Sequence, residues 1–271
     1  MITYDELTRR NSGYVSGPLQ ERIRTTRLLV AGCGIGSSFA EAAVRLGFES
    51  LTLIDGDTVS PHNLNRQDYT AADVGTPKVE ALARRLRAIN PSAAIRPVCA
   101  NVDEVNAAEI VAEADFVFDT IDFLDLAGIV ALHDAARELR RPVITALAIG
   151  WGAGCVYLPP DSPWSFRRLF GLPESGTVSG VSYVETFGKV MGKLAEALPP
   201  EAVAVVASAL TVMEDGRPCP ASQVSPGAFA VGALAATLVV RVLAGEPVTV
   251  APEMVIVDLP RLLAAPGLHL G

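Results

Sequence analysis

Cysteine is scarce in this sequence, and its few thiols are widely separated. The chain has 271 residues and four cysteines with no CxxC pair among them: Cys33, Cys99, Cys155 and Cys219. This spacing argues against a disulfide framework and against a four-thiolate zinc site. We therefore expect reduced thiols, as in a cytoplasmic protein.

An excess of positive charge is also missing. The chain has 22 Lys and Arg residues against 30 Asp and Glu residues, which gives a formal net charge of −8. A protein that holds nucleic acid chiefly through phosphate contacts needs a basic surface. Nucleic acid is therefore not the expected partner, although a local basic patch is left open.

No apolar run in the sequence is long enough to predict a membrane span. The longest uncharged run, residues 227–240, stops at Arg241, and a spanning helix needs roughly 18 to 20 apolar residues. This run predicts a buried helix. Residues 1–14 carry charge where a secretory signal would be apolar, so we expect neither export nor membrane insertion. Half of the residues are apolar, which is enough for the core of a compact enzyme.

Strand-like and helix-like segments alternate over the first 150 residues of the chain. The opening β-turn-α-β unit has strands at residues 27–32 and 50–57 and a helix at 37–47. Further strands are expected at 93–98, 115–120 and 141–146, and further helices at 76–89, 106–113 and 124–140. Thr76 is the expected cap of its helix, with Pro77 at the first helical position. The alternation predicts an α/β fold with a doubly wound, mostly parallel, Rossmann-like sheet.

The pattern changes after residue 150. We expect a strand at 154–160, a Pro-, Gly- and Ser-rich excursion at 161–182 and a helix ending at 198. An apolar segment at 202–213, a loop at 215–227, a helix from 227 and a strand at 253–259 follow. The whole chain, 1–271, is interpreted as one domain. Its parts are an N-terminal helical arm (1–26), a nucleotide-binding half (27–150) and a decorated C-terminal third (151–271) for substrate and dimer contacts.

The turn after the first strand reads GCGIGS, residues 32–37. Glycines in such a turn let backbone amides approach a phosphate at the start of the following helix, here Gly32, Gly34 and Gly36. Asp55 follows about twenty residues later, where a carboxylate binds a ribose hydroxyl in nucleotide-binding folds. We therefore favour a nucleotide site over a plain tight turn, with an Asx turn as the alternative role of Asp55.

Three further side chains fit the phosphates of such a nucleotide. Lys78 lies in the first turn of a predicted helix, where a cation is unfavourable unless negative charge is nearby. Arg66 offers a fork for phosphate oxygens, and Asp122, beyond another strand, suits Mg²⁺. The alternatives are a surface arginine, a solvated lysine and an aspartate that caps the next helix.

Four segments in order, GCGIGS, LIDGDTVSPHNLNRQ, VGTPK and DTID, resemble the ThiF/MoeB/HesA family, bacterial relatives of ubiquitin-activating enzymes. The resemblance covers residues 10–259. It implies an ATP site in which Asp55 binds the ribose and Lys78 binds the triphosphate, with Asp57 in the same segment as Asp55. Arg66 would contact the phosphates, and Asn63 and Gln67 flank it in the family motif. Asp122 would be associated with Mg²⁺. RRNSGY resembles an arginine-containing helix that reaches the partner's nucleotide in homodimeric members. Arg10, or else Arg9, is the matching arginine, which implies a homodimer.

The implied activity is that of an ATP-dependent adenylyltransferase. It would convert the C-terminal carboxylate of a ubiquitin-like carrier protein or peptide into an acyl-AMP, with release of pyrophosphate. That carboxylate is ionised at neutral pH, since its pKa is about 3.5, so no general base is needed. The family's zinc-binding CxxC pairs are missing, with PWSFRRLF at the place of the first, which implies a zinc-less branch.

The sequence leaves three alternative functions open. They are a ThiF-like dehydratase acting on tRNA, a nicotinamide-dependent oxidoreductase and a non-catalytic partner subunit. Cys33 and Cys155 are expected to be buried, so Cys219 is the one candidate for a thioester. An unreactive loop thiol is nevertheless the favoured interpretation of Cys219. His62 is expected to be structural or solvent-facing, and neither His133 nor His269 can be paired with a cysteine from the sequence.

Overall fold

The computed structural model of the protein describes residues 2–214, 222–267 and 269. Cys219 lies outside the described residues. The chain forms a seven-stranded sheet with the order β3-β2-β1-β4-β5-β6-β7. The strands are β1 (Arg27–Ala31), β2 (Ser50–Ile54), β3 (Ala94–Val98), β4 (Phe116–Asp119), β5 (Val143–Ile149), β6 (Gly152–Leu158) and β7 (Val255–Val257).

The first five strands are parallel, and β6 and β7 run antiparallel to their neighbours. The predicted doubly wound, mostly parallel α/β sheet is therefore confirmed. The change of direction occurs at residues 150–151, because so short a connection between β5 and β6 permits only an antiparallel hairpin.

Helices cover both faces of the sheet. They are α1 (Tyr4–Thr8), α2 (Gly17–Thr25), α3 (Gly36–Leu46), α4 (Lys78–Ile89), α5 (Ala107–Ala112), α6 (Leu126–Glu138), α7 (Phe166–Phe170), α8 (Tyr183–Leu194), α9 (Pro200–Glu214), α10 (Ser225–Ala244) and α11 (Leu259–Ala264). Helices α3, α4 and α10 bury side chains such as Phe39, Leu82 and Val231 in one core cluster. Helices α5 and α6 bury Ile110 and Leu132 in the cluster on the opposite face.

Helix α10 is the run that the sequence predicts as a buried helix. It has 20 residues and is long and apolar enough to cross a membrane by length and composition, with 44% of its most apolar window buried in the protein. Its first half packs on α3. The Ser38 hydroxyl donates to the Ala228 carbonyl at 2.8 Å, and a Cβ on Gly232 would come within 2.7 Å of the Ser38 backbone. The helix thus serves as a core element, although one side of it stays exposed.

The predicted cap of α4 is wrong. Pro77, not Thr76, precedes the first helical residue, and the helix has no side-chain cap. The backbone of residues 76–78 instead pairs with the segment after β2, since Val59 N–H donates to the Thr76 carbonyl and Lys78 N–H donates to the Asp57 carbonyl. This pairing ties the start of α4 to the end of β2.

The C-terminal third differs in detail from the prediction. The excursion at residues 161–182 contains the short helix α7. The expected strand at 253–259 is reduced to β7, and α11 follows it, capped by Asp258, whose side chain accepts from Arg261 N–H. Phe166 and Phe187 of this third pack with Leu126 of α6 in a separate apolar cluster, which lies beside the turn that follows β4.

Candidate nucleotide site

The glycine turn joins β1 to α3 at the carboxyl edge of the sheet. Gly32 has φ +86°, and a Cβ there would come within 2.4 Å of the Thr120 carbonyl oxygen. The Thr120 hydroxyl donates to the Gly32 carbonyl at 2.7 Å. Helix α3 has no side-chain cap at its start. Ser37 and Ser38 N–H donate to the Gly34 and Ile35 carbonyls, so the positive end of the helix dipole is the feature that favours an anion there.

Asp55 is the first residue after β2, and its side chain points back to the glycine turn. Its carboxylate accepts from Cys33 N–H at 2.7 Å and from Asp57 N–H at 2.8 Å. Burial raises the pKa of Asp55 above its ordinary value, while Lys78 and the two N–H donors oppose that rise. The bond to Asp57 is the Asx turn considered as the alternative, so the turn and a role toward ribose involve the same carboxylate.

Lys78 is buried between two carboxylates. Its side chain is 9% exposed, and Nζ lies 2.6 Å from Asp57 Oδ2 and 3.9 Å from Asp55 Oδ2. The negative charge that the sequence requires near this lysine is thus supplied by the protein itself. Because Asp57 is 70% exposed, its carboxylate can move aside when a phosphate binds Lys78. The burial of Lys78 excludes the alternative of a solvated lysine.

Arg66 lies at the same edge of the sheet and is held by neutral acceptors. Its Nη1 donates to the His62 carbonyl and to Asn65 Oδ1, both at 2.9 Å, and its Nε donates to Gln223 Oε1. Burial lowers the pKa of Arg66, and the charge of Asp122 opposes that shift. His62 is exposed, as expected.

Asn63 and Gln67 have different roles. Asn63 is buried, and its Oδ1 accepts from Ser60 N–H at 2.9 Å, which stabilises the turn at Pro61–Asn63. The Gln67 amide lies over the glycine turn, with Nε2 3.1 Å from the position of a Cβ on Gly34. Gln67 Oε1 is buried and accepts no hydrogen bond from the described residues. Since buried acceptors are usually paired, Gln67 fits a donor from a bound ligand, such as a ribose hydroxyl.

Asp122 is exposed in the turn after β4. Its Oδ1 accepts from Leu124 N–H at 3.0 Å. The cap of α6 is Asp125, whose carboxylate accepts from Gly128 N–H at 3.0 Å, so the alternative of Asp122 as that cap is excluded. No group of three or more metal-binding side chains occurs within residues 2–214, 222–267 and 269. A lone carboxylate is the kind of protein ligand that Mg²⁺ uses together with nucleotide phosphates.

Arg10 is not part of this cluster in its own chain. It is exposed in the turn at Arg9–Asn11, and the Asn11 side chain donates to the Leu46 carbonyl at 3.0 Å. Leu46 ends α3, whereas the glycine turn precedes its start. The 11 residues of α3 correspond to about 16 Å. The structure therefore brings Asp55, Lys78 and Gln67 together at the glycine turn but places Arg10 at the far end of α3.

Cys33, Cys155 and His133 are buried, whereas Cys99 and His269 are exposed. Burial raises the pKa of Cys33 well above its ordinary value and raises the pKa of Cys155 to about 12. Both thiols are therefore packing residues, as expected. His133 Nε2 lies 2.9 Å from Asp119 Oδ2 in the core, a contact that the sequence does not predict. Gln223 is another residue at the site that sequence reasoning misses, because no local pattern connects it to Arg66.

The sequence profile of the ThiF family matches residues 8–265. Among curated proteins, the chain is 33% identical to the SAMP-activating enzyme E1 of Haloferax volcanii, over 64% of this chain and 64% of that protein. It is 36% identical to the molybdopterin-synthase adenylyltransferase of Escherichia coli, over 56% of this chain and 63% of that protein. The matched parts thus span less than two thirds of the length of these relatives.

The fold has a counterpart among solved structures. The structure of Escherichia coli MccB with ATP superposes with a TM-score of 0.65 at 20% identity, over 92% of this chain and 66% of that one. This likeness concerns the fold alone. The family profile covers nearly the whole chain, including the glycine turn, the Arg66 segment and Lys78. The chain belongs to the ThiF family.

Proposed function

We propose that this protein is an ATP-dependent adenylyltransferase that activates a carboxylate, most simply the C-terminus of a ubiquitin-like carrier protein or peptide. The observation that carries the proposal is that Asp55 joins the glycine turn to Lys78, since its carboxylate accepts from Cys33 N–H and lies 3.9 Å from Lys78 Nζ. Arg66 stands next to Gln67, whose amide lies over the glycine turn. Two relatives are named as a SAMP-activating enzyme and as an adenylyltransferase of molybdopterin synthase. These names support a protein carboxylate as the substrate.

The site fits ATP by its donors and its shape. The glycine turn and the positive end of the α3 dipole favour an anion, Asp55 and the unpaired Gln67 oxygen suit ribose hydroxyls, and Lys78 and Arg66 suit the phosphates. Asp122 would contribute to Mg²⁺, together with phosphate oxygens. Magnesium is thus a part of the proposal that depends on ATP.

The reaction needs charge neutralisation more than proton transfer. A carboxylate oxygen forms a bond to the α-phosphorus, and the bond from that phosphorus to the bridging oxygen breaks, so that pyrophosphate leaves with the electron pair. No proton moves, because the carboxylate is already ionised. Lys78 and Arg66 act by electrostatic stabilisation of the charge on the leaving group.

The test is ATP–pyrophosphate exchange in the presence of a carrier protein that ends in Gly-Gly. We expect exchange with the wild-type protein and at least about a tenfold loss with Lys78→Ala, as expected for loss of a positioned charge. Lys189→Ala removes an exposed lysine from α8 and is the matched control. Exchange that is equal in Lys78→Ala and the control would remove Lys78 from the site. ATP binding without exchange would favour a non-catalytic subunit.

We also propose a homodimer in which Arg10 acts on the partner's nucleotide. Arg10 is exposed at the far end of α3 from its own glycine turn. The exposed side of α10 has Phe229, Ala233 and Thr237 at four-residue spacing, with Phe229 54% exposed. The exposed Phe229 ring, beside Ala233, gives this side of the helix an apolar surface for a second copy.

Mixing two inactive variants tests the role in trans. Each heterodimer of Arg10→Ala and Lys78→Ala has one site with both residues intact if Arg10 acts across the interface. An equal mixture should then recover about a quarter of wild-type exchange, because half of the dimers are mixed and each has one working site. No recovery in dimers shown to exchange subunits would contradict a role in trans. A monomer by light scattering would contradict the dimer itself.

A further inference from the structure

Gln223 contacts Arg66 from a distant part of the chain. It lies in the segment just before α10, and its side-chain oxygen accepts from Arg66 Nε. Its backbone carbonyl accepts from Asn65 Nδ2 at 3.0 Å. Two adjacent residues of the Arg66 segment are thus bonded to the same residue, so Gln223 fixes both the position of that segment and the plane of the guanidinium group.

All the acceptors around Arg66 are neutral. They are the His62 carbonyl, the Asn65 amide oxygen and the Gln223 amide oxygen. Arg66 forms no ion pair with any carboxylate in the described parts of the chain, and its Nη2 makes no hydrogen bond there. A neutral acceptor orients a guanidinium group without cancelling its charge, whereas a carboxylate binds it as a strong charged pair. The charge of Asp122 acts on Arg66 without a hydrogen bond or an ion pair, so Arg66 is oriented and still able to bind an anion.

The backbone position of Gln223 is fixed relative to the glycine turn. The residue stands two positions before α10, and α10 is joined to the first turn of α3 through the bond from Ser38 to Ala228 and the close approach of Gly232. The same α3 turn follows the glycines. The distance between the glycine turn and Arg66 is thus set from both sides, by the segment after β2 and by Gln223.

We infer that Gln223 is a positioning residue that holds the uncancelled charge of Arg66 toward the outer phosphates of the nucleotide and so makes the site prefer ATP to AMP. This inference rests on the proposed function. It assigns to Gln223 no contact with the nucleotide; the residue acts through Arg66. The segment that ends at Gln223 thereby becomes a determinant of nucleotide affinity.

Calorimetric titration of the full chain with ATP and with AMP, both in the presence of Mg²⁺, tests this role. In Gln223→Glu the new carboxylate pairs with Arg66, and we expect ATP affinity to fall about tenfold while AMP affinity changes less than about twofold. Gln223→Leu removes the acceptor without adding charge, and ATP affinity should fall about threefold to tenfold. Ser222→Glu places the same charge on the neighbouring exposed residue and is the control.

A merely structural role would lower the affinities for both nucleotides together. In exchange assays, the positioning role predicts a raised KM for ATP with kcat within about twofold of wild type in Gln223→Leu. ATP preference retained in both Gln223 variants, or lost equally in Ser222→Glu, would overturn the role of Gln223 and leave the proposed function intact. Equal affinity of the wild-type protein for ATP and AMP would overturn the phosphate site and this inference with it.

Discussion

Replacement of Lys78 by methionine should destabilise the protein even without nucleotide. The substitution keeps an unbranched apolar side chain, shorter by one atom, but removes the ammonium group that lies 3.9 Å from Asp55. Two unit charges at that distance attract by about 4 kcal/mol at an effective dielectric constant near 20. Asp55 keeps its two backbone N–H donors, so we expect a net loss of about 2 to 3 kcal/mol of unfolding free energy at neutral pH.

The loss should depend on pH in a direction that the burial of Asp55 determines. Burial raises the pKa of this carboxyl above its ordinary value of 3.8, so the folded state binds its proton more tightly than the unfolded state. Stability from this group is therefore present at low pH and is lost as pH rises through the folded pKa. Without Lys78 that pKa rises further, so the deficit of the variant should grow from about pH 4.5 to about pH 7.5.

Urea unfolding followed by circular dichroism measures this deficit at both pH values. Lys189→Met, on the exposed side of α8, is the control and should change stability by less than about 0.5 kcal/mol. A deficit in Lys78→Met that is the same at both pH values would show that Asp55 does not depend on Lys78. A deficit no larger than that of the control would refute the buried charge cluster altogether.

Two further predictions use matched pairs of variants. Gly232→Ala should cost at least about 2 kcal/mol, because its Cβ would lie 2.7 Å from the Ser38 backbone; Gly188→Ala, whose Cβ meets nothing within 4 Å, should stabilise α8 by up to about 1 kcal/mol. Thermal unfolding of both proteins checks this pair, and equal melting temperatures would contradict it. Asp125→Ala should lose about 1 kcal/mol as the cap of α6, whereas Asp122→Ala should lower pyrophosphate exchange with little change in stability; the reverse outcome would exchange the two roles.

The nucleotide half could be predicted well because its signals are local. Strands β1, β2, β4 and β5 are short, mostly apolar runs, and the glycine turn, Asp55 and Lys78 follow strands or begin helices at set positions. The carboxyl ends of parallel strands meet at one edge of a sheet. Order along the chain was therefore enough to bring these residues together.

The rest depends on contacts that no local pattern specifies. Arg66 and Gln223 are 157 residues apart in the sequence. A hydrogen bond between two such distant polar side chains produces no periodic pattern in the sequence from which it could be predicted. The antiparallel direction of β6 has a signal in the sequence. Gly150 and Gly152 flank a turn that is too short for a crossover connection between parallel strands. Asp122 and Asp125 could not be distinguished as caps, because either spacing suits the start of a helix.

The position of α10 also has a consequence for synthesis of the protein. Helix α3 is complete once residue 46 has been made, but α10, which covers it, ends at residue 244. At ordinary translation rates the ribosome needs about 10 to 40 seconds for the intervening chain. During that time the apolar side of α3 and of the central strands is uncovered, so the nascent chain should be a client of ribosome-associated chaperones until its last fifth emerges.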